Sequence, residues 1–189
     1  TIRTASSFIS PEQAAINFNR EVADADVQLI SGKAREQWNN YLGRVEAEGG
    51  TDEQLRTFYS CLYRTLLFPR EFYEFDSQGN PVYYSPYDGN VHDGYMYTDN
   101  GFWDTFRAVH PLFTLLYPEV SERVTQSIIN AYNESGFMPE WASPGHRGCM
   151  IGNNSVSLLV DAWMKGIQTV DAEKALEAMI HQTQARHAK

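Results

Sequence analysis

The chain is poor in cysteine, short of positive charge and without any long apolar run. Its two cysteines, Cys61 and Cys149, lie far apart, and neither belongs to a CxxC pair. A cysteine-based zinc or iron–sulfur site is therefore not indicated, and two buried free thiols are the expectation. Lys and Arg number 15 against 24 Asp and Glu, for a net charge of -9. Without clustered basic residues the chain does not suit nucleic acid or an anionic membrane surface. No apolar stretch approaches the roughly 20 residues needed to cross a bilayer. The opening "TIRTASSFIS" has no signal-peptide core and no initiator Met, so a processed or excised end is expected. An EF-hand loop is missing too: "DSQGNP" matches only its first positions.

What remains is enough for one good core. At 189 residues, 42% of them hydrophobic, the composition is that of an ordinary folded protein. Aromatic residues make up 13% of the chain, and many gather between positions 72 and 103. Phe72, Tyr73, Phe75, Tyr83, Tyr84, Tyr87, Tyr95, Tyr97, Phe102 and Trp103 alternate there with Asp, Asn and Gly. Flat apolar faces beside short polar groups suit sugar rings, and they suit a hydrophobic cluster beneath a long loop equally well.

Helical signals flank this region. Ser10, Pro11 and Gln13 form an S-P-x-Q start. A second helix is expected over Lys33 to Glu48, with Trp38, Leu42 and Val45 on one side and Gly49–Gly50 as its stop. Thr51 and Gln54 form another capping box, ahead of an apolar face of Leu55, Phe58, Leu62 and Leu66 that Pro69 ends. After the loop, helices are expected over Thr105 to Leu116 (interrupted or shortened by Pro111) and over Pro118 to Glu134, closed by Gly136. Another should cover Asn154 to Gly166, burying Val156, Leu159, Val160 and Trp163. The last, from Val170, should run to the end of the chain. Helices joined by short turns at one end and by polar, aromatic loops at the other describe an α/α toroid. Too few helices are present to close one, so a piece of a larger protein is expected. The fold class is mainly α, part of an (α/α)6 toroid or barrel with a long loop containing short β pieces.

Trp103, Asp104 and Arg107 in "GFWDTFRAVHPLFTLLYPE" pose the functional question. Asp104 reads either as a helix N-cap paired with Arg107, or as a pocket carboxylate gripping sugar hydroxyls, with Arg107 and Trp103 as supports. His110 reads as a core histidine. Glu140 and Trp141 in "MPEW" repeat the pairing of an acid with an aromatic. Asp104 and Glu140 could together form an acid and base pair in a toroid glycosidase.

In order along the chain, "FYSCLYRTLLFPREF", "GFWDTFRAVHPLFTLLYPE" and "GFMPEWASPGHRGCMIGNNSVSLLVDAWMKGI" resemble the glycoside hydrolase family 92 α-mannosidases. "SFISPEQAAINFNREV" resembles the passage from that family's N-terminal β-sandwich to its helical domain. The resemblance implies a calcium-dependent exo-α-mannosidase acting with inversion on terminal α-mannose, α-1,2-linked, of N-glycans or mannans, and a secreted or periplasmic setting. It implies that residues 1–10 end a sandwich or linker, 11–50 are linker helices, and 51–189 begin an incomplete barrel. Asp104 matches the family's mannose-binding aspartate, with Trp103 and Arg107 as its supports and Trp141 and Asn154 as further pocket residues. Glu140 occupies a variable position and is disfavoured as an acid. Motifs resembling the family's acid, base and metal-ligand segments do not occur among these 189 residues. Catalytic residues and calcium ligands are thus expected downstream of Lys189. The expected partners are a mannose-containing glycan and the remaining domains of the same enzyme. The rival of another class is a non-catalytic helical carbohydrate-binding or scaffold module.

Overall fold

In the computed structural model, residues 2–185 are described. Three helices come first: α1 (Pro11–Glu21), α2 (Val27–Leu42) and α3 (Asp52–Thr65). Short strands follow: β1 (Arg70–Glu71), β2 (Glu74–Phe75), β3 (Pro81–Tyr84), β4 (Val91–Asp93), β5 (Tyr97–Thr98) and β6 (Asn100–Gly101). Then come α4 (Phe102–Thr105), α5 (Val109–Leu116), α6 (Pro118–Ser135), β7 (Trp141–Ala142), α7 (Asn154–Met164) and α8 (Ala172–Gln184). The fold is mainly α, as the capping signals predict. The chain divides into two compact units. One runs up to Phe68 and includes Glu74–Asn80; the other holds Pro69–Tyr73 and the residues from Pro81 onward.

In the first unit, local chemistry sets the helix ends. Ser10 Oγ accepts the Gln13 N–H at 3.1 Å, with Pro11 in the first turn of α1. Thr51 and Gln54 complete both halves of their capping box, at 3.3 and 2.9 Å. The second helix departs from expectation. It spans Val27–Leu42 rather than Lys33 to Glu48, because Asp26 caps it by accepting the Leu29 N–H at 2.7 Å and Gly43 closes it. Trp38 packs on Tyr63 with ring centroids 4.5 Å apart. Tyr59 donates to the Val45 carbonyl at 2.9 Å, tying the α2–α3 connection to α3.

The second unit is built on α6. Val124, Ile128, Ile129 and Tyr132 face a core completed by Leu158 and Leu159 of α7, Ala175 and Ala178 of α8, and Tyr97 and Phe102. Gly136, at φ 80°, closes α6 in the left-handed conformation that glycine adopts without strain. Strands β3 and β4 pair antiparallel, with Tyr83 opposite His92. A smaller cluster gathers Phe72, Tyr83 and Met96. Most of the loop aromatics are therefore core, whereas Tyr84 and Trp103 remain exposed.

Several expectations are corrected. The helix expected over Thr105 to Leu116 is two, α4 and α5, parted at Phe106–Ala108. The interruption ascribed to Pro111 is present: α5 starts only two residues before it, so its missing N–H falls in the first turn, where no hydrogen bond is left unmade. Helix α7 buries Ser155, Leu158, Leu159 and Ala162, so Val160 lies off that face and is exposed. Helix α8 ends at Gln184, with Ala185 extended; the rest of the expected last helix lies outside the described residues. Both cysteines are free and exposed rather than buried. Cys61 adjoins Leu62, the buried position of α3, and Cys149 lies in the loop before α7.

Candidate functional site

The two loops that carry acid–aromatic pairs meet at one small ladder. Asp99 opens it in the left-handed region at φ 56°, a conformation that costs a non-glycine residue energy. Ser143 Oγ donates to Asp99 Oδ1 at 2.8 Å, and Arg70 stands 3.5 Å from Oδ2. Strand β6 then pairs antiparallel with β7, setting Asn100 opposite Ala142 and Gly101 opposite Trp141. The Phe102 N–H donates to the Glu140 carbonyl at 3.2 Å. "GFWDTF" and "PEWA" are thus joined by backbone bonds, and Trp141 is brought to the strand that leads into Trp103 and Asp104.

Helix α4 is a single turn anchored from below. Phe102 is buried in the main core, and its ring stacks on His110 at 6.2 Å. His110 is itself buried. Asn100 Nδ2 donates to His110 Nε2 at 3.2 Å, and Thr105 Oγ1 donates to Asn100 Oδ1 at 3.1 Å. An accepting Nε2 leaves the imidazole proton on Nδ1, and among the described residues that atom has no hydrogen-bond partner. Burial pushes the His110 pKa down to about 3, so the ring is neutral.

The outer side of this turn is polar and open. Asp104 is exposed, and it is not the N-cap that its position suggests: Gly101 holds that place, with no side-chain cap. Among the described residues Asp104 makes no side-chain hydrogen bond or ion pair. Its Oδ2 lies only 2.7 Å from where a Cβ on Gly101 would stand. Arg107 supports Trp103 rather than Asp104. Its Nη1 donates to the Trp103 carbonyl at 2.7 Å, and its guanidinium lies 5.0 Å from the Trp103 ring centroid and 4.4 Å from that of Phe106. Asn154 opens α7, which packs on α4, but its amide donates to the Ile151 carbonyl at 3.1 Å and so closes its own loop. The ladder therefore gathers Trp103, Asp104 and Trp141, while Asn154 is occupied locally.

A second polar cluster escapes sequence reasoning. Asp88, His92 and Glu134 bring one ligand atom each within 4.8 Å of one another. His92 Nε2 and Asp88 Oδ2 are 2.9 Å apart, and Ser85 Oγ donates to Glu134 Oε2 at 2.5 Å. The Tyr83 hydroxyl donates to the other Glu134 oxygen. The Asn90 backbone N–H, followed by the His92 contact, lowers the Asp88 pKa to about 2. Burial, and then the bond to Glu134, raise that of Tyr83. Calcium takes about six to eight oxygen ligands. One imidazole nitrogen and two carboxylates already engaged with protein donors do not fit it. No sequence signal joins these residues, because strand pairing and α6 bring them together from distant positions.

The pattern of the glycosyl hydrolase family 92 catalytic domain matches residues 13–189. The chain belongs to glycosyl hydrolase family 92. Mainly α with a few short strands, the fold accordingly includes part of an (α/α)6 barrel. Among solved family 92 structures it is similar to an inverting mannosidase from Bacteroides thetaiotaomicron, at 99% identity and a TM-score of 0.95. That match covers 97% of this chain and 25% of the other. It is also similar to a family 92 α-mannosidase of the same organism, solved in complex with mannoimidazole, at 30% identity and a TM-score of 0.82, over 93% of this chain and 23% of that one. A curated relative, an uncharacterized secreted glycosidase of Arthroderma benhamiae, is 23% identical over 94% of this chain and 19% of its own length. The chain thus spans about a quarter or less of each relative. Among the described residues no helix is long and apolar enough to cross a membrane.

Proposed function

We propose that this chain supplies part of the mannose-binding pocket of an exo-acting α-mannosidase. The whole enzyme would remove terminal α-mannose, α-1,2-linked, from N-glycans or mannans with inversion, in a secreted or periplasmic setting. One observation carries the reading. Asp104 is a carboxylate with no capping or ion-pair task, presented on an anchored turn beside Trp103 and held over Gly101. An ionised carboxylate in that position accepts from two sugar hydroxyls through charge-assisted hydrogen bonds. Trp103 and Trp141 offer faces to the apolar side of the ring. Arg107 contributes by fixing Trp103. The two bacterial relatives, an inverting mannosidase and an α-mannosidase, support this substrate class.

Inversion needs a carboxylic acid to protonate the leaving oxygen and a carboxylate to activate water from the opposite face. We assign neither to this chain. The acid, the base and the calcium ligands belong to the remainder of the catalytic domain, consistent with the poor calcium fit of the Asp88–His92–Glu134 group. Residues 1–10 would lead in from a sandwich or linker, 11–50 would be linker helices, and 51–189 would open the barrel.

The test is Asp104→Ala in a full-length enzyme carrying these residues, assayed on α-1,2-mannobiose. Losing a charged acceptor for two hydroxyls costs about 2 to 4 kcal/mol of transition-state binding, which lowers kcat/KM by roughly 30- to 1,000-fold. An unchanged kcat/KM would remove Asp104 from the pocket.

A further inference from the structure

Gly101 needs an explanation. Its backbone sits at φ -94° and ψ 109°, an extended conformation open to any L residue. Glycine is therefore not required there by the turn. What a side chain here would disturb lies outside the backbone: a Cβ at this position would meet Asp104 Oδ2 at 2.7 Å and Asp104 Cγ at 3.8 Å. The Met150 methyl stands next, at an ordinary 3.5 Å.

We infer that Gly101 is a positioning residue, whose missing side chain sets where the Asp104 carboxylate rests. This deepens the proposed pocket role of Asp104 and rests on it. The backbone of Gly101 does not yield easily. It is paired with Trp141 across the β6–β7 ladder, and its carbonyl shares the single Thr105 hydroxyl proton with Asn100 Oδ1, at 3.0 and 3.1 Å. Beneath it, Asn100 is tied to the buried His110. A methyl added at Gly101 therefore displaces the carboxylate and not the strand. Asp104 is exposed, so its side chain can rotate away at little cost to folding. The same rotation moves the oxygen that would hold the sugar. A displacement of this kind separates folding from function, because misplacing a binding group by about 1 Å can cost on the order of 100-fold in rate.

The experiment is a double-mutant cycle in the full-length enzyme: wild type, Gly101→Ala, Asp104→Ala and the double variant. Each is assayed for kcat/KM on α-1,2-mannobiose and for thermal midpoint. The expected result for Gly101→Ala is a fall in kcat/KM of roughly 10- to 100-fold with Tm within about 2 °C of wild type. In the Asp104→Ala background the glycine substitution should cost no more than about 2-fold, since nothing remains to displace. Full activity in Gly101→Ala overturns the inference. So does a loss that persists undiminished in the Asp104→Ala background, or one that arises only with a matching fall in Tm. Failure of the pocket reading is distinguished by Asp104→Ala alone: a fully active Asp104→Ala enzyme discards that reading, whereas an impaired one beside a fully active Gly101→Ala enzyme discards only the positioning role.

Discussion

His110 should make the stability of this chain fall steeply in mild acid. The residue is 3% exposed, and burial lowers its pKa from 6.5 to about 3. Below pH 6.5 the unfolded chain takes up a proton that the folded chain refuses until about pH 3. The unfolded state therefore binds more protons throughout that window. Stability is complete above the unfolded pKa and is lost as pH falls toward the folded one. Integrating the linkage relation with these two values gives a loss of about 2 kcal/mol between pH 7 and pH 5. That is a large share of the roughly 5 to 15 kcal/mol that separates folded from unfolded states. The control is His110→Gln, which keeps an acceptor for Asn100 and cannot titrate. Urea unfolding of both proteins at pH 7 and pH 5 gives four free energies. Carboxylate titrations are common to both proteins and cancel in the difference. Wild type should lose about 2 kcal/mol more than the variant on going to pH 5. Equal losses in the two proteins, or a ring that protonates near pH 6.5 in the folded state by NMR, would refute the reasoning.

Thr51→Ala removes the accepting half of the α3 capping box and should lower the unfolding free energy by about 1 kcal/mol, read as a lower urea midpoint that Thr51→Ser largely restores. Ser85→Ala leaves one Glu134 oxygen and two backbone N–H groups, those of Tyr87 and Asp88, without their partner; a loss of about 2 to 3 kcal/mol is expected by the same assay. Met164 and Val160 on α7, and Leu176 and Ile180 on α8, form exposed apolar stripes at i,i+4 spacing. Met164→Lys with Ile180→Lys should reduce self-association of the isolated chain in sedimentation velocity without lowering its helical circular dichroism, and should lower Tm in a full-length enzyme, where other barrel helices would cover those stripes. Unchanged association would show that the stripes do not drive contact.

What the sequence made legible was local. Ser10 with Pro11, Thr51 with Gln54, and Gly136 act on their own backbone within a few residues, and each marks a helix end where it was expected. The α2 boundaries differ from expectation because Asp26 and Gly43 cap the helix, and Gly49–Gly50 lies beyond it. The break between α4 and α5 is signalled by Pro111, whose ring would meet the Arg107 carbonyl in a continuous helix. Packing adds to it, because Phe102 and His110 are both buried from two short helices. Exposure of Cys61 and Cys149 was equally hidden, since a thiol's small size lets it sit on either side of a helix or in a loop. The Tyr83–Ser85–Asp88–His92–Glu134 group required α6 and the β3–β4 hairpin to be assembled first.

The candidate site shows the same division between local and long-range information. From spacing alone, Asp104 had two occupations, helix cap and pocket ligand, and the first needed no function. The structure removes it, because Gly101 stands at the cap position and Arg107 is engaged with Trp103. What is left is an exposed carboxylate on a turn fixed by a buried polar chain and a cross-strand ladder, an arrangement that accords with the proposed pocket role. Among the described residues the Thr105–Asn100–His110 chain leaves His110 Nδ1 without a partner, a deficit of about 1 to 3 kcal/mol. Apolar packing of the same space would avoid that deficit. What the polar chain secures is the orientation of Asn100 and Thr105, hence the Gly101 carbonyl and the floor beneath Asp104. Stability is given up in the core of the turn, and a fixed backbone beneath Asp104 is gained, a balance that fits the proposed pocket role.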